Sequence, residues 1–195
     1  MKTSLLLLVT GILAAPRTPA QSGTLDESFG IDGVVNYTTA GQHYFGETMV
    51  VRPNGNILIA GARTEGPTLT DDRFGYVEME PNGDLIGAYD HGLSDMEQRA
   101  MDMALQPDGR CVLVGYSNPA SDELTTRIML MRTNQNGTLD GTFGTNGIVE
   151  TELDGSVGTA NSVVVLPGGG VLVAGTRDDD PILLRYTSDG TLDLD

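Results

Sequence analysis

Residue types able to do chemistry are sparse in this chain. Its 195 residues hold one cysteine, Cys111, two histidines, His43 and His91, and no tryptophan. Cys111 could serve as a nucleophile, but it stands in the apolar run Cys111-Val112-Leu113-Val114, at a position shared with Ile57 and Val171 in repeated segments, so it reads as a small core filler. His43 and His91 fall in separate stretches expected to be inter-strand loops. Neither has a Cys or His nearby to make up a metal set, so both read as surface residues. Gly-x-Ser-x-Gly, phosphate-loop and His-Glu-x-x-His motifs are absent. The stretch Asn134-x-Asn136-Gly137-x-x-Asp140 has the oxygen-rich make-up of a calcium loop without the acid at its twelfth position, and a hairpin turn accounts for its Asn and Gly. Calcium is therefore kept only as a minor alternative, and no catalytic, cofactor-binding or metal-ligating residue is assigned. The recurring Asp26, Asp140 and Asp193 read as turn anchors, through side-chain to backbone hydrogen bonds.

The elements that would position any site come from a repeat. Pro53-Asn54-Gly55-Asn56-Ile57-Leu58-Ile59-Ala60-Gly61 returns, after 54 residues, as Pro107-Asp108-Gly109-Arg110-Cys111-Val112-Leu113-Val114-Gly115. After another 60 it returns as Pro167-Gly168-Gly169-Gly170-Val171-Leu172-Val173-Ala174-Gly175. A second signature, Gly-Thr-Leu-Asp, stands at Gly23 to Asp26, Gly137 to Asp140 and Gly190 to Asp193, with a degraded copy from Gly83 to Ile86. Two copies run on into Phe-Gly-x-x-Gly, at Phe29 to Gly33 and Phe143 to Gly147.

Superposed, the units predict four strands. The first ends at the proline (Met49 to Val51, Met103 to Leu105, Val163 to Val165). The Pro-x-Gly after it suits a type I turn with a left-handed Gly, closing a hairpin onto the second strand (Ile57 to Ala60, Cys111 to Val114, Val171 to Ala174). That second run is almost wholly apolar, as a strand buried on both faces should be. The third covers Tyr76 to Met79, Leu130 to Thr133 and Leu183 to Tyr186. The fourth is expected to start at the Leu of the second signature and to include Val34-Val35 or Ile148-Val149. Helical spacing fails everywhere except for at most a single turn near Asp95 to Met101. A four-stranded antiparallel meander recurring at this period is the blade of an all-β propeller. The expected layout is a signal peptide over 1–20 and a propeller repeat domain over 21–195, with units near 21–47 (partial), 48–99, 100–160 and 161–195. About three blades and an N-terminal outer strand make an incomplete ring. An open β-solenoid or sandwich is the competing architecture. Self-association is an alternative route to a complete ring, with the segment from Leu25 to Val35 finishing a neighbour's blade.

Export is expected from the first residues. Lys2 precedes an apolar run from Leu5 to Ala15 and a small-residue segment at Thr18-Pro19-Ala20, the layout of a cleavable signal. The run is shorter than the ~20 residues a membrane helix needs, and no cysteine follows it to carry a lipid, so a secreted, periplasmic or extracellular location is expected. Loss of residues 1–20 removes Lys2 and Arg17, lowering the basic residues from 11 to 9 against 27 acidic ones, a formal charge of −18. Such a field disfavours nucleic acid and anionic membranes and favours cations and basic partners. All nine basic residues then left are Arg, a composition expected of a salty habitat or of a biased genome.

The combined pattern resembles the delta-60 repeat family of exported bacterial β-propeller repeats. The likeness covers essentially residues 22–195 and rests on the apolar strand, Pro-Asp-Gly, the apolar strand ending in Ala-Gly, the Arg-Tyr strand and the Leu-Asp-x-x-Phe-Gly-x-x-Gly tail. Arg185-Tyr186 matches fully and Arg132-Thr133 matches half. The first full unit departs, with Glu78-Met79, with Ile86 for the Asp, and with Gly92 lacking the preceding Phe-Gly. The resemblance implies fold and export but no activity.

In a blade the connections after the second and fourth strands share one face of the disc, and here they are expected to be long and acidic. They hold Glu65, Asp71 and Asp72; Asp90, Asp95 and Glu97; Asp122 and Glu123; Glu150, Glu152 and Asp154; and Asp178, Asp179 and Asp180. The functional expectation is a secreted, non-catalytic scaffold or binding module, associated with the cell surface or free, whose partner is a protein or glycan. The alternative is a fragment of a propeller enzyme acting on extracellular glycans, which would need paired carboxylates at a central pocket.

Overall fold

The computed structural model describes residues 23–39, 42–65, 72–93, 96–119 and 126–194. The expected signal peptide over 1–20 lies outside them. Eleven strands form three antiparallel sheets, and the described residues contain no helix. Sheet one is β1 (Gln42–Val51), β2 (Ile57–Glu65), β3 (Arg73–Met79) and β4 (Leu85–Asp90), in that order. Sheet two is β5 (Met96–Leu105), β6 (Cys111–Pro119), β7 (Arg127–Thr133) and β8 (Ile148–Thr151). Sheet three is β9 (Gly158–Val165), β10 (Val171–Arg177) and β11 (Asp180–Tyr186). The first strands converge, β1 against β5 and β5 against β9. The molecule is an open arc of β-propeller blades.

Ile57, Cys111 and Val171 take equivalent places. Each opens a second strand and pairs with the last residue of the first, Val51, Leu105 and Val165. Two apolar layers hold the arc together. Leu58, Ala60, Phe74 and Tyr76 of sheet one meet Met103, Cys111, Leu113 and Met131 of sheet two. The opposite side of sheet two, with Val112, Val114 and Leu130, meets Val163, Val171, Val173 and Tyr186 of sheet three. The second strand of sheet two is apolar from Cys111 to Val114 because its alternate residues serve both layers.

The Ala-Gly or Val-Gly inside each second strand has a steric cause, although the strand was expected to stop there and runs on to Glu65, Pro119 or Arg177. Every first strand carries one extra residue at the same place, Glu47, Met101 and Asn161, and the ladder shifts there. The bulge drives a backbone carbonyl against the facing glycine. A Cβ on Gly61, Gly115 or Gly175 would lie 1.7, 1.9 or 2.0 Å from the carbonyl oxygen of Phe45, Arg99 or Thr159. Only glycine fits.

The inner hairpin turns form as expected. In the first two sheets the amides of Gly55 and Gly109 bond back to Arg52 and Gln106, and both glycines are left-handed.

Four expectations need correction. First strands begin at Gln42, Met96 and Gly158, so His43 is a strand residue, not a loop residue. The segment near Asp95 to Met101 is the start of β5 from Met96 onward, with no helical turn; Asp95 itself lies outside the described residues. The second signature of sheet two is a turn whose Leu139 makes one bridge to Thr133, and the fourth strand begins only at Ile148. In the N-terminal copy Val34 bridges Ile31 alone. The connection after the second strand of sheet three is not long. Asp178 and Asp179, both left-handed at φ 48° and 68°, close β10 onto β11 as a two-residue turn.

Candidate functional site: inner strands and acidic loop end

On the inner strands, the residue just past each bulge faces its neighbours across the sheets. These are Thr48, Asp102 and Ser162. Asp102 Oδ1 accepts from Thr48 Oγ1 at 3.1 Å and from its neighbour amide Met103 N at 2.9 Å, while Oδ2 accepts from Ser162 Oγ at 3.1 Å and Val163 N at 2.8 Å. One carboxylate thus ties three inner strands together, and its lone pairs are occupied by the fold. Beside it Arg99 reaches Glu47 at 3.3 Å and Asp72 at 3.8 Å and lies 5.2 Å from the centre of the Phe45 ring.

Toward the outer edge, a second network joins sheets two and three. Asp140 Oδ2 accepts from Arg132 Nε at 2.8 Å and Arg110 Nη1 at 2.6 Å, and its Oδ1 accepts from the Thr142 amide and hydroxyl at 3.0 and 2.7 Å. Burial pushes this carboxyl upward. The Thr142 and Arg110 hydrogen bonds and the Arg132 charge overcome that and hold it well below the ordinary carboxylate range. Arg132 is itself buried, stacks 4.5 Å from the Phe143 ring centre and donates from Nη1 to Ser188 O of sheet three at 2.6 Å. In sheet three Arg185 and Asp193 repeat the pair at 3.2 Å. Sheet one has Glu78 at the Arg position, and Glu78 pairs with Arg52 at 3.2 Å instead.

Sequence reasoning saw the aspartate but missed its arginine. The signal was in the chain: Arg132 and Asp140 are eight apart, as are Arg185 and Asp193, and in the one unit where Glu78 replaces the Arg, Ile86 replaces the Asp.

Other singled-out residues also serve the scaffold. Cys111 is fully buried between sheets one and two, and burial pushes its thiol up to about 12. His91 is not a bare surface group, because its Nε2 lies 2.6 Å from Gly137 O of the next sheet. Asp26 accepts from the amide and hydroxyl of Ser28 at 3.0 and 2.6 Å. Asn136 Oδ1 accepts from the Thr138 amide and hydroxyl, so the oxygen-rich stretch around Asn134 is a hydrogen-bonded turn. No group of three or more His, Cys, Asp or Glu placed to share a metal ion occurs among the described residues.

The expected acidic loop end is only partly free. Asp90 pairs with Arg63 and Arg73, Asp72 approaches Arg99, and Glu150 accepts from Ser117 Oγ at 2.6 Å. Among the described residues, the charge without an arginine ion pair gathers at sheet three, where Val157 N donates to Asp178 Oδ1 at 3.0 Å and Asp178 N to Val157 O at 3.0 Å. These bonds zip two turns together and set Asp154, Asp178, Asp179 and Asp180 on an exposed end, with Glu152 paired only loosely to Arg127 at 3.9 Å. Asp71, Asp95, Asp122, Glu123 and the side chain of Glu65 lie outside the described residues.

Two stretches have the same layout, each running from the inner turn through the second and third strands to the Leu-Asp turn. These stretches, residues 106–143 and 169–195, match a family model described as a domain of unknown function (DUF5122) β-propeller. The chain is a propeller-type repeat protein. The matched residues lie in sheets two and three of the propeller, the two that carry the Arg–Asp pair. No curated protein matches the chain.

Proposed function

We propose that this propeller is an exported, non-catalytic scaffold or binding module of the delta-60 type, and that it engages cations or a basic protein or glycan partner through the acidic end of its blades. The observation carrying the reading is the state of Asp102, the carboxylate at the inner strands. It is bonded by four donors that belong to the fold, which suits a structural tie and not a proton shuttle. Cys111, His91 and Asp140 are likewise consumed in joining sheets. Among the described residues, what is left for a partner is charge at Asp154 and Asp178 to Asp180.

Contacts of this kind are screened by salt, with a Debye length of ~8 Å at physiological ionic strength. The test is calorimetric titration with calcium chloride and, separately, retention on an immobilised oligoarginine matrix at moderate salt. Saturable heat or salt-reversible retention, reduced by Asp178→Asn with Asp180→Asn, is the expected result. Absence of both, together with release of reducing sugar from a soluble polysaccharide, would overturn the reading in favour of a glycan-cleaving enzyme.

A further inference from the structure

The two ends of the arc carry opposite halves of one interface. In sheet two the side turned to sheet three presents Ala104, Val112, Val114 and Leu130, all packed in the apolar layer. The same positions of sheet three are Val164, Leu172, Ala174 and Leu183, and they face outward, with Val164 56% and Leu183 63% exposed. At the other end, Met103 and Leu105 of sheet two pack on sheet one, whereas their counterparts Met49 and Val51 are 63% and 54% exposed. Each exposed face is thus built to receive the face found at the far end of the same molecule.

A second observation fixes the register. Segment 143–149 docks on sheet three with Gly144 N donating to Asp189 O at 2.7 Å. It then pairs back onto β7, Ile148 with Met131 and Val149 with Leu130. The N-terminal segment docks on sheet one in the same way, Gly30 N donating to Asn82 O at 3.0 Å, but Val34 and Val35 have no strand to pair with among the described residues. The residues equivalent to Met131 and Leu130 are Leu184 and Leu183 of β11, and β11 is the open edge of its sheet. An unpaired strand segment at one end and an unpaired edge at the other match position for position.

We propose that two copies of this chain associate head to tail, the outward face of sheet three covering the outward face of sheet one, and Val34 and Val35 of each copy adding to the β11 edge of the other opposite Leu184 and Leu183. This contact is heterologous and is repeated twice around a two-fold axis. It closes a ring of six blades, within the ~4 to 8 that propellers use. The occupant is a second copy because the surface each face is shaped for is the one this sequence presents at its opposite end.

The test is the mass of the full chain in solution, measured by light scattering across the micromolar range. Twice the chain mass is expected, falling to the single mass in Leu183→Glu and in Met49→Glu; both sites are exposed, so circular dichroism should stay unchanged in each. For the register, Val35→Cys and Leu183→Cys proteins are mixed and oxidised. A covalent dimer is expected from the mixture and from neither protein alone, since opposed strand residues sit within disulfide reach. A wild-type protein at the single mass, a ladder of larger species, an undiminished dimer in either charge variant, or failure of the mixture to cross-link would overturn the proposal.

Discussion

Removing the Asp140 side chain tests whether the network around Arg132 holds sheets two and three together. In Asp140→Ala, Arg110 keeps Asp108 at 2.6 Å and is partly exposed, so its loss is small. Arg132 is 2% exposed and keeps only uncharged partners: Ser188 O, the Thr142 hydroxyl at 3.2 Å and the Phe143 ring. Stranding one member of a buried ion pair costs ~3 to 5 kcal/mol, and the retained contacts place this site near the lower figure, about 3 kcal/mol. At ~2 to 4 °C per kcal/mol for a chain of this size, the melting temperature should fall by roughly 6 to 12 °C.

Removing both charges strands neither, and the Thr142 and Ser188 groups that lose a partner are exposed to water, so Arg132→Met combined with Asp140→Leu should cost only about 1 kcal/mol. Guanidinium unfolding of the wild type, Arg132→Met, Asp140→Leu and the double variant gives the coupling directly, and it should reach at least about 2 kcal/mol. Hydrogen exchange adds a spatial reading: amides of β10 and β11 should lose protection before those of β2 and β3, since Arg132 holds Ser188 across the gap. An Asp140→Ala protein within about 1 kcal/mol of wild type, or a double variant as costly as the sum of the singles, would refute the argument.

Three further outcomes are expected. The Asp140 carboxyl lies below its ordinary value of 3.8 in the folded state, so its contribution is fully present above that pH and is lost as pH falls through the folded value. The stability gap between wild type and Asp140→Asn should therefore shrink below about pH 3.8, and a gap independent of pH there would contradict the pairing. Gly115→Ala, with its Cβ 1.9 Å from a backbone oxygen, should cost about 3 kcal/mol or more, whereas Gly141→Ala, with nothing within 4 Å, should sit within about 0.5 kcal/mol of wild type; calorimetry on the pair checks both. Asp179→Gly relieves a left-handed aspartate in a two-residue turn and should stabilise by roughly 0.5 to 1 kcal/mol in urea unfolding.

What the sequence could disclose follows from where the chain keeps its period. Apolar runs and Pro-x-Gly turns recur at offsets of 54 and 60, and the strands ending at Val51, Leu105 and Val165 pair as those offsets require. The earlier halves of the same strands were hidden by the bulges at Glu47, Met101 and Asn161. One inserted residue reverses which side chains face the core, so alternation cannot be followed across it, and the stretch from Met96 to Met101 resembles a helical turn. The turn at Asp178-Asp179 was missed because it lacks the glycine that marks such turns, and its carboxylates looked like those of a long loop. The Arg132–Asp140 pair was legible only by comparing units within the chain, since a turn lies between the two residues and its length, not a strand or helix period, brings them together.

The division between repeated and unrepeated residues also says where function can reside. Residues that recur are spent on the arc itself: the glycines that face bulges, the strand-opening position shared by Ile57, Cys111 and Val171, and the arginines that clamp Asp140 and Asp193. A property peculiar to this chain must then come from places where one unit differs from the others. Sheet one is the largest such place. It exchanges the Arg–Asp pair for Arg52–Glu78, sends Arg52 Nη1 to Gly109 O of sheet two at 2.7 Å, and gathers Arg99, Glu47 and Phe45 at its bulge. Sheet three is the other, with a tight Asp-Asp turn where a longer connection is expected. Substitutions at the exposed departures, such as Asp180→Asn beside the Asp-Asp turn, should change binding while leaving the melting temperature nearly fixed, and substitutions at the recurring positions should do the reverse. If recurring positions instead tolerated change while binding failed, the assignment of the repeat to structure and of its departures to function would be the wrong way round.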